Sequence, residues 1–185
     1  MQLILASTSP RRRELLATLG IPFKVVAPRF EETTTALPPH QEALYFAEQK
    51  ARSVAADHPG SLILASDTLV ACQGHKLGKP RGEAEAQEML HLLSGRDHEL
   101  FTALVLLNAA SGEERKHIEK AIVSFHPLTS QQIVDYIATG EPMDKAGAYA
   151  VQGIGKSLVA KVDGDINAVI GLPLEPIQQW LKDCS

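Results

Sequence analysis

A short apolar run, Gln2-Leu3-Ile4-Leu5-Ala6, passes through Ser7-Thr8-Ser9-Pro10 directly into three consecutive arginines, Arg11, Arg12 and Arg13. The run has the length of a buried strand. The hydroxyls that follow suit an N-cap, and a proline suits the first turn of a helix. Leu15, Leu16 and Leu19 then fall on one helical face. A strand turning tightly into an amphipathic helix is the opening unit of an α/β fold. The arginines stand at the positive end of the helix dipole, where each cation costs about 0.3–1 kcal/mol. An anion reverses that sign. Free backbone N–H groups, hydroxyls and guanidiniums together make a cradle for phosphate.

The rest of the chain bounds what that cradle can serve. Its 185 residues suffice for one domain or two closely joined lobes. A formal charge of −4 excludes a general nucleic-acid or acidic-membrane binder, so the basic site is local and suits a small anionic ligand. Cys72 and Cys184 show neither Cys-x-x-Cys spacing nor a zinc-type cluster, which points to a reduced protein. No signal-peptide pattern opens the chain and no apolar run reaches membrane-spanning length. The expectation is a soluble, cytoplasmic protein without a membrane partner.

Apolar runs alternate with helical patterns along the chain. Phe23 to Ala27 reads as a strand, the polar stretch Pro28 to Pro39 as a loop, and Gln41 to Ala56 as a helix. Leu62 to Ala65 is a buried strand that ends at Ser66-Asp67-Thr68, and Leu69 to Cys72 continues as a strand to a hairpin turn at Gln73-Gly74-His75. A helix over Glu83 to Leu93 precedes a long hairpin, His98 to Asn108 and Arg115 to His126. Thr129 to Gln132 is a capping box for a helix to about Thr139, closed by Gly140. Glu141 to Gly155 reads as a loop with one short extended piece. Leu158 to Val162 is a strand and Pro173 to Leu181 the final helix.

Asp67 is the leading catalytic candidate, because ligands in open α/β sheets gather at the carboxyl ends of strands. A carboxylate there can take a proton from water or hold a divalent cation. Glu31-Glu32 in the polar loop supply a second acidic point. Lys50, by itself, reads as a surface lysine of an alanine-rich helix, and Lys79 as one free to reach phosphate or water. Two acidic points, two lysines and an arginine-rich helix start together fit metal-assisted phosphoryl chemistry.

With those residues assembled, the chain resembles the Maf family of nucleoside-triphosphate pyrophosphatases over nearly its whole length. The resemblance rests on Ser7-Thr8-Ser9-Pro10-Arg11-Arg12, Glu31-Glu32, Gln49-Lys50-Ala51, Ser66-Asp67-Thr68, Leu77-Gly78-Lys79-Pro80 and Leu93-Ser94-Gly95-Arg96, in that order. The most specific block is Glu141 to Tyr149 through Gln152-Gly153, and Asn167 to Pro173 closes the set. The resemblance implies one domain over 1–185 with a two-lobed mixed sheet flanked by helices, similar to the inosine-triphosphate pyrophosphatases. An active-site cleft would lie between the lobes. It implies cleavage of a nucleoside triphosphate between the α and β phosphates, a Mg²⁺ or Mn²⁺ cofactor and a homodimer. By carry-over Asp67 is the proton acceptor, Glu31 or Glu32 helps it hold the metal, and Arg12, Lys50 and Lys79 meet phosphates. Ser7, Ser9, Asp144 and Lys145 line the same site.

Three positions bear on the base. The family branch acting on 7-methylguanosine triphosphate usually carries Trp at the place of Arg11 and Glu at that of Gln152, which suits a cationic base. Arg11, Thr68 and Gln152 are instead the set of the branch acting on dTTP and UTP. Gln152 offers a donor and an acceptor to the pyrimidine imide, and Arg11 a donor to a carbonyl. The rival readings are hydrolysis of 7-methylguanosine triphosphate or of modified pyrimidine nucleotides, and a nucleotide-binding regulator of septum formation that needs no turnover. A serine hydrolase is excluded by the absence of a Gly-x-Ser-x-Gly elbow.

Overall fold

The computed structural model describes residues 1–183. Its strands are β1 (Gln2–Ala6), β2 (Phe23–Val26), β3 (Ser61–Cys72), β4 (His75–Leu77), β5 (Asp97–Asn108), β6 (Glu114–Phe125) and β7 (Val159–Asp163). The helices are α1 (Pro10–Ala17), α2 (Pro39–Ala55), α3 (Glu83–Leu93), α4 (Ser130–Ala138), α5 (Ile166–Ile170) and α6 (Leu174–Asp183). The strands form one seven-stranded sheet in the order β2-β1-β3-β5-β6-β7, with β4 paired to β3. The α/β mixed sheet flanked by helices expected from the sequence is therefore present. Cys184 lies outside the described residues, and Cys72 is a buried free thiol.

The chain divides into two compact units, each with its own core. The first comprises Met1–Asp67, Thr102–Glu119 and the residues from Gly171 onward. Its β1 pairs in parallel with both β2 and β3, and the sheet buries Leu3, Leu5, Leu62, Leu64, Leu104 and Leu106 against Leu16 of α1 and Ile177 of α6. Ser9 caps α1 as the sequence requires, accepting from the Arg12 N–H at 3.5 Å, with Pro10 as its first residue. The second unit comprises Thr68–Phe101 and Lys120–Ile170. Here Leu90 and Leu93 of α3, and Ile133 and Tyr136 of α4, pack with Val70, Val123, Phe125 and Tyr149. Both halves of the Thr129–Gln132 capping box are formed.

Three expectations need correction. Asp67 does not end a strand, because β3 runs unbroken from Ser61 to Cys72. What ends there is a ladder: β1 pairs with β3 as far as Leu64, and β4 takes over at Val70. Asp67 thus lies just past the carboxyl end of the parallel pair, and the placement rule holds for the ladder rather than the strand. The short extended piece expected within Glu141–Gly155 forms no strand, and extended backbone occurs only between helical turns, at Lys145, Tyr149 and Gln152. Three turns of 3₁₀ helix occupy Glu141–Asp144, Ala146–Ala148 and Gly153–Leu158 instead. Pro142, and the left-handed backbone of Gly147 (φ +69°) and Ala148 (φ +59°), interrupt any pleat. Finally, α5 was not anticipated. Its five residues are too few to show a helical period.

The second core contains a titratable group. His98 is buried between the rings of Phe125 and Tyr149, with its Nε2 2.8 Å from the Tyr149 hydroxyl. Burial pushes the imidazole down to about 4, against a smaller opposing effect of Asp97, and pushes the phenol up. The pair is therefore neutral, joined by one hydrogen bond whose direction follows the ring tautomer. Below pH 6.5 the unfolded chain takes a proton that the folded chain refuses, so stability falls with pH until about pH 4. The total loss expected is about 3 kcal/mol, or roughly 6–12 °C in melting temperature for a chain of this size. His98→Gln, which keeps a hydrogen-bond partner for Tyr149, should remove that part of the acid slope in melts taken between pH 7 and pH 4. An unchanged slope would place the acid sensitivity elsewhere.

Candidate active site

In the first unit, four side chains from distant parts of the sequence meet. Lys50 sits on the inward face of α2 and its side chain is only 7% exposed. Its ammonium forms ion pairs with Asp67 and, at 2.5 Å, with Glu32. Lys50 is thus buried at the centre of the site rather than on the surface, as its helix position alone had implied. The position fits the period of Ala43, Ala47, Ala51 and Val54, so α2 delivers it with its apolar stripe. Asp67 is buried, and burial raises its carboxyl above the usual range; Lys50 is the largest opposing attraction, and Glu32 adds to the rise.

The loop carrying Glu32 is pinned on both sides. Before it, Phe30 packs against Tyr45 and Phe46 of α2, with ring centroids at 6.2 and 5.7 Å. After it, the buried carboxylate of Glu42 accepts from the Thr35 N–H and hydroxyl, both at 2.7 Å, and from Thr34 at 3.4 Å. This fixes which member of the acidic pair faces the site. Glu32 reaches Lys50, while Glu31 is exposed on the loop.

Arg12 is braced from the far end of the chain. Its Nε donates to the Gly171 carbonyl at 2.9 Å, and the buried Ser66 hydroxyl donates to the same oxygen at 2.9 Å. Burial opposes ionisation of Arg12, and Asp67 and Glu32 favour it. Ser7 is buried, its Oγ accepting from the Ser9 N–H at 3.1 Å, and Arg11 is half-buried in the first turn of α1. Hydroxyls, arginines and a helix N-terminus thus occur together, as the opening motif required.

The remaining candidates belong to the second unit. Thr68 follows Asp67 on β3 and is half-buried, while Lys79 is exposed just after β4. The Gly147 N–H donates to the Gly78 carbonyl at 3.0 Å, which joins the turn bearing Lys79 to the segment of Asp144 and Lys145. Lys145 donates to the Asp144 carboxylate at 2.7 Å and to the Glu141 carbonyl at 2.6 Å. Gln152 is exposed, with extended backbone.

Sequence reasoning missed Glu42, Ser66 and Gly171 as supports. A signal existed for the first: Glu42, Phe46 and Lys50 are spaced by four, so a glutamate and a lysine share the apolar stripe of α2. Charges in phase with a buried face are rare unless paired. The Ser66 hydroxyl helps to hold the carbonyl that orients Arg12.

No group of three His, Cys, Asp or Glu side chains with metal-binding geometry occurs among the described residues. Two carboxylates converging on one ammonium nevertheless fit Mg²⁺, which typically takes one or two protein carboxylates and completes its shell with water and substrate phosphates.

Known proteins resemble this chain in sequence and in fold. The family model described as "Maf-like protein" matches residues 2–184. The chain is 48% identical to a dTTP/UTP pyrophosphatase of Moorella thermoacetica, covering 97% of this chain and 93% of the relative. It is 46% identical to a dTTP/UTP pyrophosphatase of Symbiobacterium thermophilum, covering 97% and 92%. Among solved structures, the Staphylococcus aureus Ham1 protein shares the fold over the full length of both chains, with a TM-score of 0.57 at 12% identity. With the Ser-Pro-Arg-Arg helix start, the Glu32–Lys50–Asp67 cluster and a match spanning residues 2 to 184, the chain belongs to the Maf-like protein family.

Proposed function

We propose that this chain hydrolyses dTTP and UTP to the nucleoside monophosphate and pyrophosphate. The observation that carries the proposal is the Lys50 ammonium held between Asp67 and Glu32 beside the arginine-bearing start of α1. Relatives nearly half identical over 97% of the chain are pyrophosphatases of these two nucleotides, which supports the same substrates here.

In the proposed reaction, Asp67 accepts a proton from the attacking water, whose oxygen joins one phosphorus of the α–β anhydride. The bridging oxygen leaves with the other phosphorus. A carboxylate with a raised pKa is the stronger base once ionised, and Lys50 both orients it and favours its ionised form. Arg12, held by Gly171, donates to phosphate oxygens, and the Ser7–Ser9 turn offers hydroxyls and helix N–H groups to the same charge. Glu32 and Asp67 are the residues proposed to hold Mg²⁺ or Mn²⁺, which when bound neutralises phosphate charge and lowers the pKa of water. Roles for Lys79, Asp144 and Lys145 at phosphate, and for Arg11, Thr68 and Gln152 at the base, are proposed on the motif alone. Uracil and thymine differ by one methyl, worth about 1–3 kcal/mol, so a single pocket serves both. A homodimer in the cytoplasm completes the proposal; no helix among the described residues is long and apolar enough to cross a membrane.

A turnover panel with Mg²⁺ or Mn²⁺ over UTP, dTTP, CTP, GTP and 7-methylguanosine triphosphate tests this. UTP and dTTP should lead, with pyrophosphate as product. Orthophosphate release would reject the assigned bond. A lead for 7-methylguanosine triphosphate would reject the base assignment, and no turnover on any nucleotide would favour the septum-formation regulator.

A further inference from the structure

Gln152 stands between two anchored points of backbone. Glu141, at the start of the turn after α4, bends its carboxylate toward the segment 150–155. One oxygen accepts from the Ile154 N–H at 3.0 Å and the other from the Gly155 N–H at 2.7 Å. The Tyr136 hydroxyl bonds the same carboxylate and accepts from the Ala150 N–H at 3.3 Å. Amides on both sides of residue 152 are therefore tied to one carboxylate, two directly and one through the phenol.

The surrounding residues are cut to fit this clamp. Gly153 has φ +63°, and a Cβ there would stand 2.3 Å from the Glu141 Oε1. A Cβ on Gly155 would stand 2.5 Å from both the Tyr136 hydroxyl and the Ala150 carbonyl. Only glycine lets the carboxylate and hydroxyl approach the chain at these two places. Although burial pushes the Glu141 carboxyl up, the Tyr136 hydroxyl and the two amides pull it below its ordinary value, so it stays a pure acceptor near neutral pH.

We propose that Glu141, acting with Tyr136, is the positioning residue for base selection: it fixes the backbone around Gln152 so that the Gln152 amide meets the pyrimidine edge at one reach and direction. The inference rests on the reading of Gln152 as the residue that meets the base. A side chain presented from a fixed backbone loses less freedom on binding, so the clamp acts on affinity and selectivity rather than on the bond-breaking step.

The test compares wild type, Glu141→Gln, Tyr136→Phe, Gln152→Ala and the Glu141→Gln/Gln152→Ala pair on UTP, CTP and GTP. In Glu141→Gln the amide NH₂ group faces a backbone N–H, so one of the two direct anchors is lost. The expected result is a KM for UTP raised about tenfold, kcat within about twofold, and a UTP-over-GTP preference reduced about tenfold. Tyr136→Phe should move the same quantities about threefold, and the pair should match Gln152→Ala within about twofold, because both changes act through one side chain. Equal losses on all three nucleotides, effects that multiply in the pair, or an unchanged preference would overturn the inference. Should Glu141→Gln fail to fold, Tyr136→Phe decides by the same criteria, since it removes one oxygen from a buried ring. A wild-type enzyme without preference for UTP would instead reject the base reading itself, before any variant is made.

Discussion

Replacing Asp67 by Asn should abolish turnover while leaving the fold in place. The substitution keeps the shape of the side chain, and the amide oxygen still accepts from Lys50, whose second partner Glu32 is untouched. What disappears is the capacity to take a proton from water, worth about 10²–10⁴-fold for a positioned base. Loss of one proposed metal-holding carboxylate should carry the loss toward the upper end of that range. Pyrophosphate release from UTP measures the effect, and circular dichroism with thermal melting checks the fold. The melting temperature should stay within a few degrees, because Asn removes a buried charge as well as an attraction. Wild-type turnover in this variant would remove Asp67 from the chemistry.

Lys50→Met should damage both stability and activity. The side chains of Lys50 and Asp67 are 7% and 6% exposed, so the ammonium is the principal compensation for a carboxylate largely withdrawn from water. Breaking such a pair from one side costs about 3–5 kcal/mol, roughly 6–20 °C in melting temperature for a chain of this length. The pH dependence identifies the cause. Without Lys50 the folded-state pKa of Asp67 rises further, so the folded variant holds a proton that the unfolded chain releases. Stability is then fully present only below the ordinary carboxylate range and is lost as pH climbs from there through the raised value. The deficit relative to wild type, measured by melting in chelator-containing buffer, should be larger at pH 8 than at pH 5. A deficit independent of pH would mean that lost packing, not the orphaned carboxylate, explains the change.

Much of this site was legible because its parts are local patterns. The strand, the hydroxyl cap, Pro10 and the arginines occupy one continuous stretch, and a helix dipole gives those residue types a meaning without any tertiary information. The capping box at Thr129 and the long hairpin from Asp97 to Phe125 were readable for the same reason. Lys50 was harder. Its place on the apolar stripe of α2 was visible in the spacing, but an alanine-rich helix does not declare which face is inward until its neighbours are known. The choice between Glu31 and Glu32 was closed to sequence reasoning altogether. It depends on Phe30 packing on one side of the loop and Glu42 gripping Thr34 and Thr35 on the other. The 3₁₀ turns after Gly140 escaped because their stabilising bonds, from Glu141 to residues 154 and 155, cross a segment with no period of its own.

The oxygen of residue 171 receives hydrogen bonds from residues 159 and 105 positions earlier in the chain. During synthesis the Arg12 guanidinium therefore waits until residue 171 has emerged before this carbonyl can aim it. A ribosome-bound fragment stopping short of that glycine would carry Lys50, Glu32 and Asp67 yet lack the carbonyl that orients Arg12.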